Sequence, residues 1–183
     1  MTGFVNRIPV KTGDVFFVDA GVIHAIGAGC LILEVQEPTD FTIQPEYWCG
    51  DYHLNAQEMY LGLEPDTALD CFHFHQFGKQ VVENGKKVPR VVGHDGTVKT
   101  EILIDKSDTP CFAMNRYTLT QGVLRLEIPA SVWICADGQG MVSWEGGSRS
   151  LKKGDYFFLP AAAIGKCSIQ ADRAVIISCV GGK

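Results

Sequence analysis

The chain has 183 residues, enough for one substantial domain or two small ones. An apolar content of 46% and a charged content of 20% are ordinary for a globular protein. A net charge of −5 argues against nucleic acid or an anionic membrane as partner, and no apolar stretch reaches the roughly 18 residues of a membrane helix.

Twenty glycines among many short apolar runs favour a β-rich fold. Residues 1–10 read as a leading strand, with Phe4-Val5 and Ile8-Val10 around Asn6-Arg7. Gly13-Asp14 turns the chain into the apolar run Val15–Val18. Asp19-Ala20-Gly21 breaks that run, and a second short one carries His24. After Gly27-Ala28-Gly29 strict alternation predicts a strand, with Leu31, Leu33 and Val35 on one side and Ile32, Glu34 and Gln36 on the other. Past Pro38, Asp40, Thr42 and Gln44 share one side, and Phe41 and Ile43 the opposite one. Such a polar face meets bulk water or lines a pocket. A histidine among Val22, Ile23, Ala25 and Ile26 points to the pocket.

Residues 45–50 read as an aromatic-rich loop. Asn55 with Glu58 three positions on is a capping box, which predicts a short helix. Pro65 suits the first turn of a second helix running to about Cys71, with a break at Gly62. From Phe72 onward the pattern returns to strands, with turns predicted at Asn84-Gly85, Asp95-Gly96, Asp137-Gly138 and Gly146-Gly147. Val123–Ile128 alternates with Leu124, Leu126 and Ile128 inward. Val132–Cys135, Met141–Trp144, Tyr156–Leu159 and Val175–Val180 complete a core. Trp48, Trp133 and Trp144 read as packing residues, with Tyr47-Trp48 alternatively a ligand-facing wall.

The seven cysteines are odd in number, include no Cys-x-x-Cys pair and lie mostly within apolar runs. They read as buried, reduced thiols, against a zinc ribbon or a disulfide framework. The N-terminal MTGFVNRIPV has no basic-then-apolar secretory signature, so a cytoplasmic protein is expected.

One internal repeat stands out. KTGDVFFVDAGVIHAIG at 11–27 is echoed by KKGDYFFLPAAAIGKCS at 152–168, with Gly165 where the first copy has His24. The spacing of Gly13, Asp19, Gly21 and His24 resembles the second sequence motif of the cupin barrels, with Asp19 where proline is usual. The longer strings GVIHAIGAG and LEVQEPTD resemble the type I mannose-6-phosphate isomerases, from about Lys11 to the C-terminus.

That resemblance implies an all-β cupin fold (a double-stranded β-helix, or jelly roll) with a short helical insertion. Its first cupin unit is expected to be incomplete. Residues 1–54 would be the C-terminal half of the metal-binding unit, 55–71 a helical connector and 72–183 a degenerate second cupin. The implied reaction interconverts mannose 6-phosphate and fructose 6-phosphate with zinc, for which His24 is the ligand. Glu34 or Asp40 would move protons or fix the His24 imidazole, and Gln36 and Thr42 would contact the small sugar phosphate. Gln44 occupies the catalytic position where the family usually carries arginine, and a neutral amide cannot stabilise negative charge as a guanidinium does.

Cupins take their other ligands from His-x-His or Gln-x-His followed by glutamate, on an earlier strand pair. The single His-x-His here, His73-Phe74-His75, comes after the motif and has no acid at the following position, so it reads as structural or solvent-facing. The remaining ligands are expected in an N-terminal half outside this sequence. Arg7, Lys11 and Arg90 are phosphate candidates by charge only, and Gly85-Lys86-Lys87 reads as a solvated hairpin tip. Two functional readings therefore stand side by side. One is the zinc isomerase; the other is a non-catalytic cupin that binds a sugar phosphate or serves assembly. A homodimer or strand exchange could cover the open half-barrel.

Overall fold

A computed structural model describes residues 6–37 and 41–182. These divide into two compact units. One comprises the described residues up to Thr12 together with Phe16–Lys86, the other Gly13–Val15 and the residues from Lys87 onward.

In chain order the structure begins with β1 (Val15–Phe16), then the hairpin strands β2 (Trp48–Cys49) and β3 (Tyr52–His53). Helices α1 (Ala56–Tyr60), α2 (Pro65–Leu69) and α3 (Lys79–Gly85) follow. The predicted capping box opens α1: the Asn55 side chain accepts from the Glu58 N–H at 3.1 Å, and the Glu58 carboxylate accepts from the Asn55 N–H at 2.9 Å. The helix stops where Leu61 and Gly62 both adopt positive φ, and Pro65 starts α2 as its sequence position suggests.

Four local expectations are corrected in the first unit. Residues 6–10 form no strand, and Phe4-Val5 lie outside the described residues. The alternating segment 31–37 forms no strand either, because a strand exists only through a paired neighbour and no described segment supplies one. Residues 45–50, read as a loop, instead enter the β2–β3 hairpin, closed by the Leu54 N–H on the Tyr47 carbonyl at 2.8 Å. Asn84-Gly85 ends α3 in place of a hairpin turn, so Lys86-Lys87 is not a hairpin tip. Lys79, Gln80 and Glu83 favour helix, and glycine ends a helix as readily as it turns a hairpin.

The remaining chain is almost wholly β: β4 (Lys86–Lys87), β5 (Arg90–His94), β6 (Val98–Ile104), β7 (Phe112–Arg125), β8 (Ser131–Trp144), β9 (Gly147–Lys152), β10 (Tyr156–Leu159) and β11 (Cys167–Gly181). An antiparallel sheet runs in the order β10-β8-β11-β7-β6-β5, and β9 joins the far end of β8. Asp95-Gly96 and Gly146-Gly147 make the predicted turns, with Gly96 and Gly146 at positive φ. Asp137-Gly138 does not turn the chain. It lies inside β8 beside a register shift, where a Cβ on Gly138 would stand 2.2 Å from the Arg173 carbonyl oxygen. Here glycine permits a close backbone approach between β8 and β11.

One face of the sheet carries the core. Leu119, Leu126, Ile169 and Ile176 are fully enclosed, and Leu124 and Ile128 face inward with Leu126 as the alternation predicts. Tyr117 stacks on Trp133 with centroids 5.4 Å apart, and the Trp133 indole N–H donates to the Ser131 hydroxyl at 2.8 Å. Trp133 is thus a packing residue, whereas Trp48 and Trp144 are about half exposed. Among the cysteines, Cys135 and Cys179 are buried, but Cys30, Cys49 and Cys71 are exposed. No helix among the described residues is long and apolar enough to cross a membrane.

Candidate functional site

The first unit places the motif residues on an irregular but hydrogen-bonded path. At Asp19-Ala20-Gly21 the Val22 N–H closes a turn on the Asp19 carbonyl at 3.1 Å, and Gly21 has φ of +81°. A Cβ on Gly21 would meet the Cys71 carbonyl at 2.7 Å and the His73 ring at 3.1 Å. Glycine is required there twice over, by its dihedral and by the approach of residues 71–73. The Gly21 carbonyl accepts the His73 N–H at 2.9 Å, and the His73 and His75 rings lie 5.5 Å apart. His73 therefore packs against the motif turn.

Three residues past that glycine, His24 is solvent-exposed, and its Nδ1 lies 2.9 Å from the Val22 carbonyl oxygen. A carbonyl can only accept, so Nδ1 carries a proton, and in the neutral ring the lone pair stays on Nε2. This is the tautomer a neutral imidazole needs to bind a metal through Nε2.

Glu34 and Gln36 are exposed on the unpaired segment 31–37. Thr42 and Gln44 are exposed as well, and the Gln44 backbone N–H is anchored on the Met59 carbonyl at the end of α1 at 2.9 Å. Asp40 lies outside the described residues. Among the described residues the one hydrogen bond of the His24 ring is that to Val22; none joins it to Glu34, Gln36 or Gln44. A catalytic zinc takes about three protein ligands. No group of three or more His, Cys, Asp or Glu side chains gathers among the described residues, so these by themselves do not fit a zinc centre.

Sequence reasoning did not single out His53. It joins Tyr47 and Trp48 in an exposed aromatic cluster, with ring centroids 5.0 Å from Tyr47 and 4.9 Å from Trp48. The signal available was a pair of aromatic dipeptides flanking Gly50-Asp51, a hairpin pattern. Below the cluster the Tyr52 hydroxyl donates to Glu58 at 2.9 Å. The Asn55 N–H first, then the Tyr52 hydroxyl, hold the Glu58 carboxyl below its ordinary range, and Glu58 pushes the Tyr52 phenol up.

No family model matches the sequence. Individual relatives do. Mannose-6-phosphate isomerase of Streptococcus mutans is 28% identical over 158 residues, 85% of this chain and 45% of its own length. The isomerase ManA of Bacillus subtilis is 27% identical over 176 residues, 95% of this chain and 51% of its own length.

The chain resembles the mannose-6-phosphate isomerases.

It spans about half the length of the isomerases it matches. The crystal structure of mannose 6-phosphate isomerase from Bacillus subtilis aligns with a TM-score of 0.50 at 16% identity, covering 70% of this chain and 37% of that one. At that identity the isomerase structure speaks for the fold alone. The fold is an all-β cupin with a short helical insertion.

Proposed function

We propose that this chain supplies part of a sugar-phosphate isomerase site that interconverts mannose 6-phosphate and fructose 6-phosphate, with His24 as a zinc ligand. The observation that carries the reading is the His24 hydrogen bond to Val22, which leaves Nε2 as a free acceptor inside the one stretch with cupin-motif spacing. Similarity to relatives named for this reaction supports it. Zinc would draw its other ligands from groups outside the described residues. Aldose–ketose exchange moves a proton between neighbouring carbons, which a carboxylate such as Glu34 or Asp40 can carry. Gln36 and Thr42 would hold sugar hydroxyls, and Gln44 would bond as a neutral amide.

Zinc titration and coupled turnover of mannose 6-phosphate test this. His24→Asn is expected to weaken zinc binding by about tenfold or more and to abolish turnover. Equal zinc affinity in both proteins would remove His24 from the site.

A second reading, assembly, is favoured by a different observation. Leu31 and Phe41 are 91% and 82% exposed, and the backbone of 31–37 has no ladder partner among the described residues. Open strand groups beside bare apolar side chains favour pairing with another chain. Light scattering should then report a dimer, and a strict monomer at high concentration counts against it.

A further inference from the structure

We propose that the second copy of the repeat builds a binding pocket for a small organic carboxylate with a flat apolar body. Residues 154–160 and Ala163, all in the copy at 152–168, line a cavity of about 600 Å³ in the second unit. That volume lies in the range of small-molecule sites. Nothing in the isomerase reading uses it.

The lining has the chemistry of an amphipathic anion site. Val142, Leu151 and Leu159 are buried and form an apolar floor, with Phe157 half-buried beside them. Trp144, 45% exposed, offers an indole to a flat ligand. Its ring is held against the hairpin backbone, since a Cβ on Gly147 would stand 2.9 Å from it. Arg149 supplies one guanidinium at the same cavity, and no acidic partner pairs with it among the described residues. A guanidinium matches a carboxylate through two parallel hydrogen bonds.

Other ligand classes fit less well. The position equivalent to His24 is Gly165, whose N–H bonds the Leu126 carbonyl at 2.9 Å, so the second copy brings no imidazole. Asp155 also lines the cavity, with one carboxylate oxygen accepting the Lys152 N–H at 3.0 Å, so a carboxylate ligand would have to seat on Arg149 away from it.

Calorimetric titration of the full chain with benzoate tests the assignment, with benzamide as the neutral isostere and mannose 6-phosphate as the polar anion. Benzoate should bind at one site and benzamide far more weakly, and R149Q should leave the response to mannose 6-phosphate unchanged. Arg149→Gln, at an exposed position, should weaken benzoate binding about tenfold or more without moving the melting temperature. Three results would each overturn the proposal: no benzoate heat at millimolar concentration, equal benzoate affinity in R149Q, or benzoate and mannose 6-phosphate competing for one site. Each leaves the isomerase reading standing, because that reading rests on His24 in the other unit.

Discussion

Arg116 Nε donates to Glu101 Oε2 at 2.8 Å, across the β7–β6 pairing that sets the two residues opposite each other. Glu101 is only 5% exposed, and Lys99 Nζ stands 3.0 Å from its other oxygen. The same guanidinium donates from Nη1 to the Gly13 carbonyl at 3.0 Å, so one arginine serves a buried acid and the first glycine of the motif.

Removing that arginine leaves a buried carboxylate served by Lys99 alone. Arg116→Met should cost about 2–3 kcal/mol in urea unfolding, somewhat less than a fully orphaned ion. Adding Glu101→Leu should recover much of the loss, since the unpaired charge is then gone. A change of a few tenths in the single variant would show that the pair contributes little.

Acid should weaken the second unit in a defined window. The Arg116 hydrogen bond first, with Lys99 helping, holds the Glu101 carboxyl below its ordinary 4.5. At Asp105 the Ser107 hydroxyl and N–H, then Arg90, lower the carboxyl from 3.8 to about 2. Both acids have folded pKa values below their unfolded ones. Their contribution is therefore complete above pH 4.5 and fades as pH falls through that value toward about 2. Melting temperatures across that interval should fall, with a shallower slope in Asp105→Asn. An identical slope would remove Asp105 from the account.

Gly138→Ala should be among the most damaging small changes in the chain. The residue has φ of +79°, and the new Cβ would meet the Arg173 carbonyl oxygen at 2.2 Å. Backbone must move in either β8 or β11, at about 3 kcal/mol or more. Gly146→Ala makes the comparison: it shares the positive φ but meets open space, so about 1 kcal/mol is expected there. Equal losses by chemical denaturation would show that the dihedral alone matters.

The α1 cap is a local device and should behave as one. Asn55→Ala removes the acceptor for the Glu58 N–H and should cost about 1 kcal/mol. Hydrogen exchange should report this as roughly fivefold faster exchange in α1, with the β7 and β11 amides unchanged. Uniform acceleration would mean that the helix supports the whole chain.

The candidate site divides along the same local boundary. The glycine turn at Gly21 is legible in the sequence, although residues 71–73 also press on it. The apolar neighbours of His24 predict a pocket, whereas the structure instead leaves it exposed. The His24 tautomer is decided just as locally, by the Val22 carbonyl two residues back. Whether Glu34, Gln36 and Gln44 gather around that imidazole is a non-local question, and alternation in 31–37 answers it only if a neighbour pairs with that segment.

By itself the sequence determined what short-range chemistry controls. It placed the Asn55–Glu58 box, the start of α2 at Pro65, the inward row of Leu124, Leu126 and Ile128, and the turns at Gly96 and Gly146. Only the tertiary structure decided that Asp137-Gly138 stays within a strand, because the backbone of β11 presses on it from residues some 35 positions away. It also decided that residues 31–37 find no strand partner among the described residues and that the repeat at 152–168 lines a cavity together with residues of β8 and β9. Capping and turn preferences are written in neighbouring side chains, whereas pairing and enclosure depend on which distant segment arrives.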